Sequence, residues 1–158
     1  MRLLLLSITA LFVTIPGFTQ TDFKKNTFYF ELAGNGGFLS VNYERQIQNK
    51  TGFGYHVGIG IGDSKPDFPM GMTYIYGFGK KSKSFIEFGA GITLAEQSLW
   101  DEHAPNIDSY PYKPGWVLSI GYRHHTHYGL MWKLNYTPIF TSYRNIPLFF
   151  GFSLGWRI

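Results

Sequence analysis

The chain has no cysteine. That absence excludes disulfide staples, thiolate metal sites and a lipid anchor attached through a cysteine. Charge is also scarce, at 15% of 158 residues. The net charge of +4 is carried by basic residues that stand mostly singly, apart from Lys24–Lys25 and the KKSK stretch at 80–83. Such short pairs fit solvated turns better than a nucleic-acid face, so no nucleic-acid partner is expected. Long apolar runs are missing too. The longest, Leu3 to Ile15, is too short to cross a bilayer as a helix, which needs about 20 residues. After that run there is no 3.6-residue periodicity anywhere, which removes helical bundles and helix-opening phosphate loops from consideration. The glycine patterns GIGIGD and GNGG therefore carry no dinucleotide chemistry, because that fingerprint needs a turn opening into a helix. The sequons at Asn49–Thr51 and Asn135–Thr137 are read as chance matches.

What is present in excess is aromatic residues, 19% of the chain, and glycine, 19 residues. The N-terminal stretch has one positive residue, Arg2, then the apolar run, then Pro16–Gly17 and the small residues before Gln20. This is the pattern of a secretory signal, so residues 1–19 are expected to be cleaved and 20–158 to form one domain.

From Thr27 onward the sequence alternates with period two, the spacing of a strand whose successive side chains point to opposite faces. Eight segments show it: 27–34, 37–47, 52–62, 69–79, 84–94, 114–123, 128–137 and 147–158. In the third, Phe53, Tyr55, Val57, Ile59 and Ile61 face one way and Gly54, His56, Gly58 and Gly60 the other. The fourth has one breach, Ile75 on the small-residue face. The last ends on Leu148, Phe150, Phe152, Leu154, Trp156 and Ile158 at alternate positions.

A soluble ligand-binding barrel would turn the large face inward, but an eight-stranded barrel is barely wide enough for its own side chains. The inverse arrangement puts Gly, Ser, Ala and Thr in a narrow lumen and the large face in lipid. The expected fold is therefore all-β: an eight-stranded antiparallel up-and-down transmembrane β-barrel of the outer-membrane type, integral to the bacterial outer membrane and monomeric. With the N-terminus on the periplasmic side, the short turns QNKT (48–51), KKSK (80–83) and HHTH (124–127) fall on that side. Outward connections are 34–37, 63–68, 95–113 and 138–146. The longest, 95–113, carries Glu96, Asp101, Glu102 and Asp108 and is the best candidate surface for an extracellular partner. The final strand resembles the C-terminal signal read by the outer-membrane assembly machinery, and lipid with lipopolysaccharide is the expected surround.

The stretches ELAGNGGFLSVNYER, GFGYHVGIGIG, IEFGAGIT, IGYRHHTHYGLMWKLNYTPIF and PLFFGFSLGW, in this order, resemble a family of small, mostly uncharacterised outer-membrane β-barrel proteins of Bacteroidetes. The resemblance covers nearly the whole mature chain. It implies the fold and location and supplies no catalytic residues. The RHHTHYG turn departs from the lysine-rich, glycine-containing turn expected there.

His124, His125 and His127 are candidates for a metal site, and a histidine paired with Thr126 for lipid-modifying hydrolysis. Adjacent residues of a tight turn point apart, no acid is near in sequence, and the turn falls on the periplasmic side, so a solvated turn is favoured. No catalytic, cofactor-binding or metal-ligating residue is assigned and no cofactor is expected. The alternation also places Glu31, Glu44, Glu87, Arg123, Lys133, Arg157 and His56 inside, where opposite charges should pair and plug the barrel. Glu31 is expected to reach Lys133 or Arg157 across the closing seam, with Glu87 approaching from the opposite wall. The sequence thus favours a non-enzymatic structural or surface-interaction barrel, ahead of a narrow pore for small solutes and of a lipid-A-modifying enzyme.

Overall fold

The computed structural model describes residues 24–49, 51–62, 65–78, 83–101 and 111–158. The expected signal segment, 1–19, and most of the loop carrying Glu102 and Asp108 lie outside them. Ten strands follow in chain order: β1 (Asn26–Ala33), β2 (Leu39–Gln46), β3 (Gly52–Gly60), β4 (Phe68–Gly77), β5 (Ser84–Glu96), β6 (Tyr112–His125), β7 (Leu130–Tyr136), β8 (Ile139–Phe140), β9 (Asn145–Ile146) and β10 (Phe150–Arg157). One short helix, α1 (Gln97–Trp100), follows β5. Strands β1 to β7 pair antiparallel in sequence order, β7 pairs β10, and β10 pairs β1 from Thr27↔Arg157 to Ala33↔Gly151. The result is a closed eight-stranded barrel without a free edge in its wall. The remaining two strands, β8 and β9, make a small hairpin that continues the wall beside Trp116 and Val117 of β6.

Each of the eight alternating segments matches one wall strand to within a few residues. β1 and β4 begin one residue before their segments, and β5 and β6 run further than the alternation suggested. The pairs Ala95↔Lys113 and Glu96↔Tyr112 extend the β5–β6 ladder into the long connection. At the other end Ser84↔His124 and His125↔Met131 continue the wall, so the tight turn begins after His125 rather than at His124.

Both chain ends and the short turns lie at one end of the barrel, here the terminal rim; the longer connections lie at the other, the loop rim. Burial follows the two-residue period. In β1, Thr27, Tyr29 and Glu31 are buried, while Phe28, Phe30 and Leu32 are exposed. The lumen holds more bulk than Gly, Ser, Ala and Thr alone: Tyr29, Ile75, Phe85, Val117 and Met131 are all buried there. Ile75 keeps strict parity with Thr73, so its breach of the pattern is an inward filler. Glycines opposite these side chains supply the room. An ideal Cβ on Gly71 would stand 2.7 Å from the Ala90 carbonyl oxygen and 2.9 Å from His56 Cε1.

The β1–β2 connection does not project outward as expected. Its single 3₁₀ turn, Gly34–Gly36, folds into the mouth of the barrel with Gly34 and Gly36 buried. The Asn35 carbonyl oxygen accepts a short hydrogen bond from Thr93 Oγ1, and Asn35 Nδ2 lies 3.1 Å from His56 Nε2. The connection thus serves as an inward lid over the mouth. Entering it costs strain, because Ala33 adopts φ 57° and ψ −161°, a region occupied almost only by glycine. Replacing Ala33 by Gly should raise the unfolding midpoint in detergent, by about 1 kcal/mol after the entropy cost of glycine is subtracted. A loss of stability in Ala33→Gly would contradict this.

Candidate functional site: a charged lumen and an acidic loop rim

The inward residues of β2, β5, β6 and β7 converge on one guanidinium. Arg123 of β6 donates through Nη1 to Glu44 Oε1 at 2.5 Å and through Nη2 to Glu44 Oε2 at 2.6 Å. The same Nη2 lies 2.5 Å from Glu87 Oε2. Because β2 and β6 stand four places apart in the ring of eight wall strands, Arg123 reaches across the full lumen. Lys133 of β7 donates to Glu87 Oε1 at 3.1 Å, and Asn135 donates to the same oxygen at 3.1 Å. The Lys133 ammonium also sits 4.4 Å from the centre of the Tyr29 ring. Two carboxylates are thus met by two cations, all buried. A planar fork with five donors suits the central place, since it meets two carboxylates at once.

All seven inward ionisable residues named from the sequence are buried. Their pairing differs from the expectation. Glu31 accepts from Ser153 Oγ at 3.3 Å rather than taking Lys133 or Arg157. Lys133 is drawn to Glu87, and Arg157 donates to the Lys24 carbonyl oxygen at 2.6 Å, at the terminal rim. Tilted strands shift the level at which side chains meet, so residues adjacent across the seam need not be partners.

The histidines separate. His125 is buried in the lumen against the Phe85 ring, 4.7 Å between centroids. His124 lies on the outer side, with Nδ1 3.2 Å from Ser84 Oγ and its ring beside Trp132. His127 is exposed in the turn and meets the Tyr128 ring edge-on. Only His127 and Thr126 belong to the turn; strand alternation sends the other two histidines to opposite faces. Among the described residues no group of three His, Cys, Asp or Glu gathers.

A second feature, at the loop rim, escaped the sequence reading. Asp67 is fully buried just before β4 and is held by backbone bonds to Gly60 in both directions, 2.7 and 3.0 Å. Neither of its carboxylate oxygens accepts a hydrogen bond. Burial, reinforced by the negative charge of Glu96, pushes its carboxyl up to about 6. Glu96 itself is buried and is met by Lys65, whose backbone N–H donates to Oε2 at 2.9 Å and whose Nζ lies 3.2 Å from Oε1. The signal that could have found Asp67 is parity: it shares the inward face with Pro69, Thr73 and Ile75.

Comparison with protein-family models, curated proteins and solved structures gives no match.

Removing the central fork should cost far more than removing the ammonium. Arg123→Ala leaves Glu44 without its cation and Glu87 with one, a loss of about 3–5 kcal/mol. Lys133→Ala leaves Glu87 still paired to Arg123, a loss of about 2 kcal/mol. Urea midpoints of the refolded variants measure the order. It is refuted if Lys133→Ala is the more damaging of the two.

Proposed function

We propose that this chain is a small integral outer-membrane β-barrel, delivered by a cleaved leader at 1–19, that acts as a structural or surface-interaction protein rather than as an enzyme or an open pore. The observation that carries this reading is the inversion of its two faces. Phe30, Val57, Met72, Ile120, Leu134 and Leu154 stand exposed around the wall, while Glu44, Glu87, Arg123 and Lys133 are buried inside it. A water-soluble monomer rarely exposes more than a few hundred Å² of contiguous apolar surface. A belt around every wall strand calls for a hydrocarbon solvent, and a closed ladder is one of the two backbone arrangements that hydrocarbon tolerates.

Aromatic residues mark the edges of that belt. Tyr43, Tyr55, Tyr76, Tyr122, Trp132 and Trp156 lie toward the terminal rim, with Tyr122 and Trp132 rings 5.3 Å apart. Tyr112, Trp116, Tyr136, Phe140 and Phe150 lie toward the loop rim, with Tyr136 and Phe150 rings 5.4 Å apart. Paired girdles of this kind fit the two interfaces of a bilayer. Arg123 crossing the lumen and the Gly34–Gly36 lid above it support a plugged barrel over a conducting one. On the sequence stretches named above, we place the chain with the small Bacteroidetes outer-membrane barrels. Its last strand, ending on Trp156 and Ile158, would engage the assembly machinery. The connection at 95–113 is its outward contact surface, and lipopolysaccharide its surround.

The mature chain should migrate heat-modifiably on gels, give β-type circular dichroism in detergent and show no discrete conductance in planar bilayers. A soluble, monodisperse protein without detergent would overturn the membrane reading, and steady single-channel steps would favour a pore. Leu134→Lys puts a charge on the lipid face and should cost about 2–4 kcal/mol near the midplane, lowering folded yield in lipid. Unchanged yield would mean that the two faces are assigned the wrong way round.

A further inference from the structure

Asp67 is a charge without a counter-charge of its own. Among the described residues it is the one buried carboxylate whose two oxygens both lack a hydrogen bond. The backbone pair with Gly60 holds its Cα in the ladder, with the side chain buried. Glycines from two connections pack against its oxygens. An ideal Cβ on Gly62 would lie 2.6 Å from Asp67 Oδ1, and one on Gly37 would lie 3.1 Å from Oδ2. The Lys65 carbonyl oxygen approaches the same position on Gly62. Glu96 contributes a second buried carboxylate, joined to the same connection through the Lys65 backbone N–H and ammonium. Its counter-ion, Lys65, is 35% exposed and on a flexible stem, so it can swing aside.

Carboxylate and carbonyl oxygens in an irregular loop, with water completing the shell, are the donor set of calcium. Magnesium demands a near-ideal octahedron and keeps most of its water, which suits such a setting less. We propose that Asp67, with Glu96 and the Lys65 carbonyl oxygen, forms a Ca²⁺ site at the loop rim that ties the β3–β4 connection to the end of β5. The ion would take over the charge compensation that Lys65 gives Glu96 and supply the partner that Asp67 lacks. The site rests on the fold and on these side chains, independently of the membrane assignment.

The test uses the folded protein in detergent, stripped of calcium with a chelator, at about pH 8, where free carboxyls are ionised. CaCl₂ is titrated while the thermal midpoint and the calorimetric heat are followed. The wild-type protein should bind one ion and its midpoint should rise by several degrees, with a smaller rise for MgCl₂. Asp67→Asn, nearly isosteric, should keep heat-modifiable migration and lose both signals. Glu96→Gln should weaken binding at least tenfold. Absence of heat and of any midpoint shift in the wild-type protein up to about 10 mM Ca²⁺, well above the range of extracellular calcium modules, overturns the site. So does a folded Asp67→Asn variant that responds like the wild-type protein. Heat-modifiable migration reports the barrel separately, so the two readings fail independently.

Discussion

The Arg123 guanidinium, stretched from β6 to Glu44 on the facing wall and to Glu87 on the neighbouring strand, is the interaction on which the rest of the barrel depends. Burying two carboxylates and two cations is expensive, and their mutual attraction recovers the cost only when the geometry is good. What the arrangement contributes beyond stability is register. A one-residue slip of any contributing strand would turn its inward set outward. Glu44, Glu87, Arg123 and Lys133 come from four different strands, so the network forms only when all four are in register. The charges thereby penalise every misaligned barrel far more than they stabilise the correct one.

The wall makes the complementary demand. With large residues on the outside of every strand, the interior must accept whatever alternates with them, and a narrow lumen leaves space only if much of that set is small. Glycine at positions such as Gly71 lets the ladder of β4 and β5 run close to His56, and bulky Tyr29, Ile75, Phe85 and Met131 occupy the volume that remains. The strain of Ala33 belongs to the same economy of space. The chain accepts an unfavourable backbone angle there to bring Gly34–Gly36 back over the mouth, where Asn35 meets Thr93 and His56.

How much of this was legible in the sequence follows from what period two can encode. It assigns a face to every residue, so Glu31, Glu44, His56, Glu87, Arg123, Lys133 and Arg157 could be placed inside before any coordinates. It does not encode the tilt of the strands, and so could not say that Arg123 would take Glu44 across the lumen while Glu31 settled for Ser153. Where a segment mixed turn-like and strand-like residues, composition misled: His124 and His125 resembled a polar turn, but their backbone stays in the ladder with Ser84 and Met131. GNGG resembled an outward loop because nothing local records that a connection folds inward. Asp67 was lost in a stretch of Lys, Pro and Asp whose return to strand parity shows only once its pairing with Gly60 is seen.

The two charged regions differ in a way that bears on where the protein meets its surroundings. At the centre of the lumen Glu44 and Glu87 are balanced by Arg123 and Lys133, so that region is closed electrostatically as well as sterically. At the loop rim Asp67 and Glu96 are both buried: Glu96 meets the Lys65 ammonium, and neither oxygen of Asp67 accepts a hydrogen bond. The centre pairs its own charges, whereas Asp67 at the rim is a buried carboxylate whose oxygens accept no hydrogen bond. The rim is also where β5 and β6 extend past the other strands, where α1 and the β8–β9 hairpin sit, and where sequence has been spent on connections longer than the topology requires. Under the proposed surface-interaction role, the loop rim is the part of the barrel left to meet a partner, and the wall and lumen hold it in position.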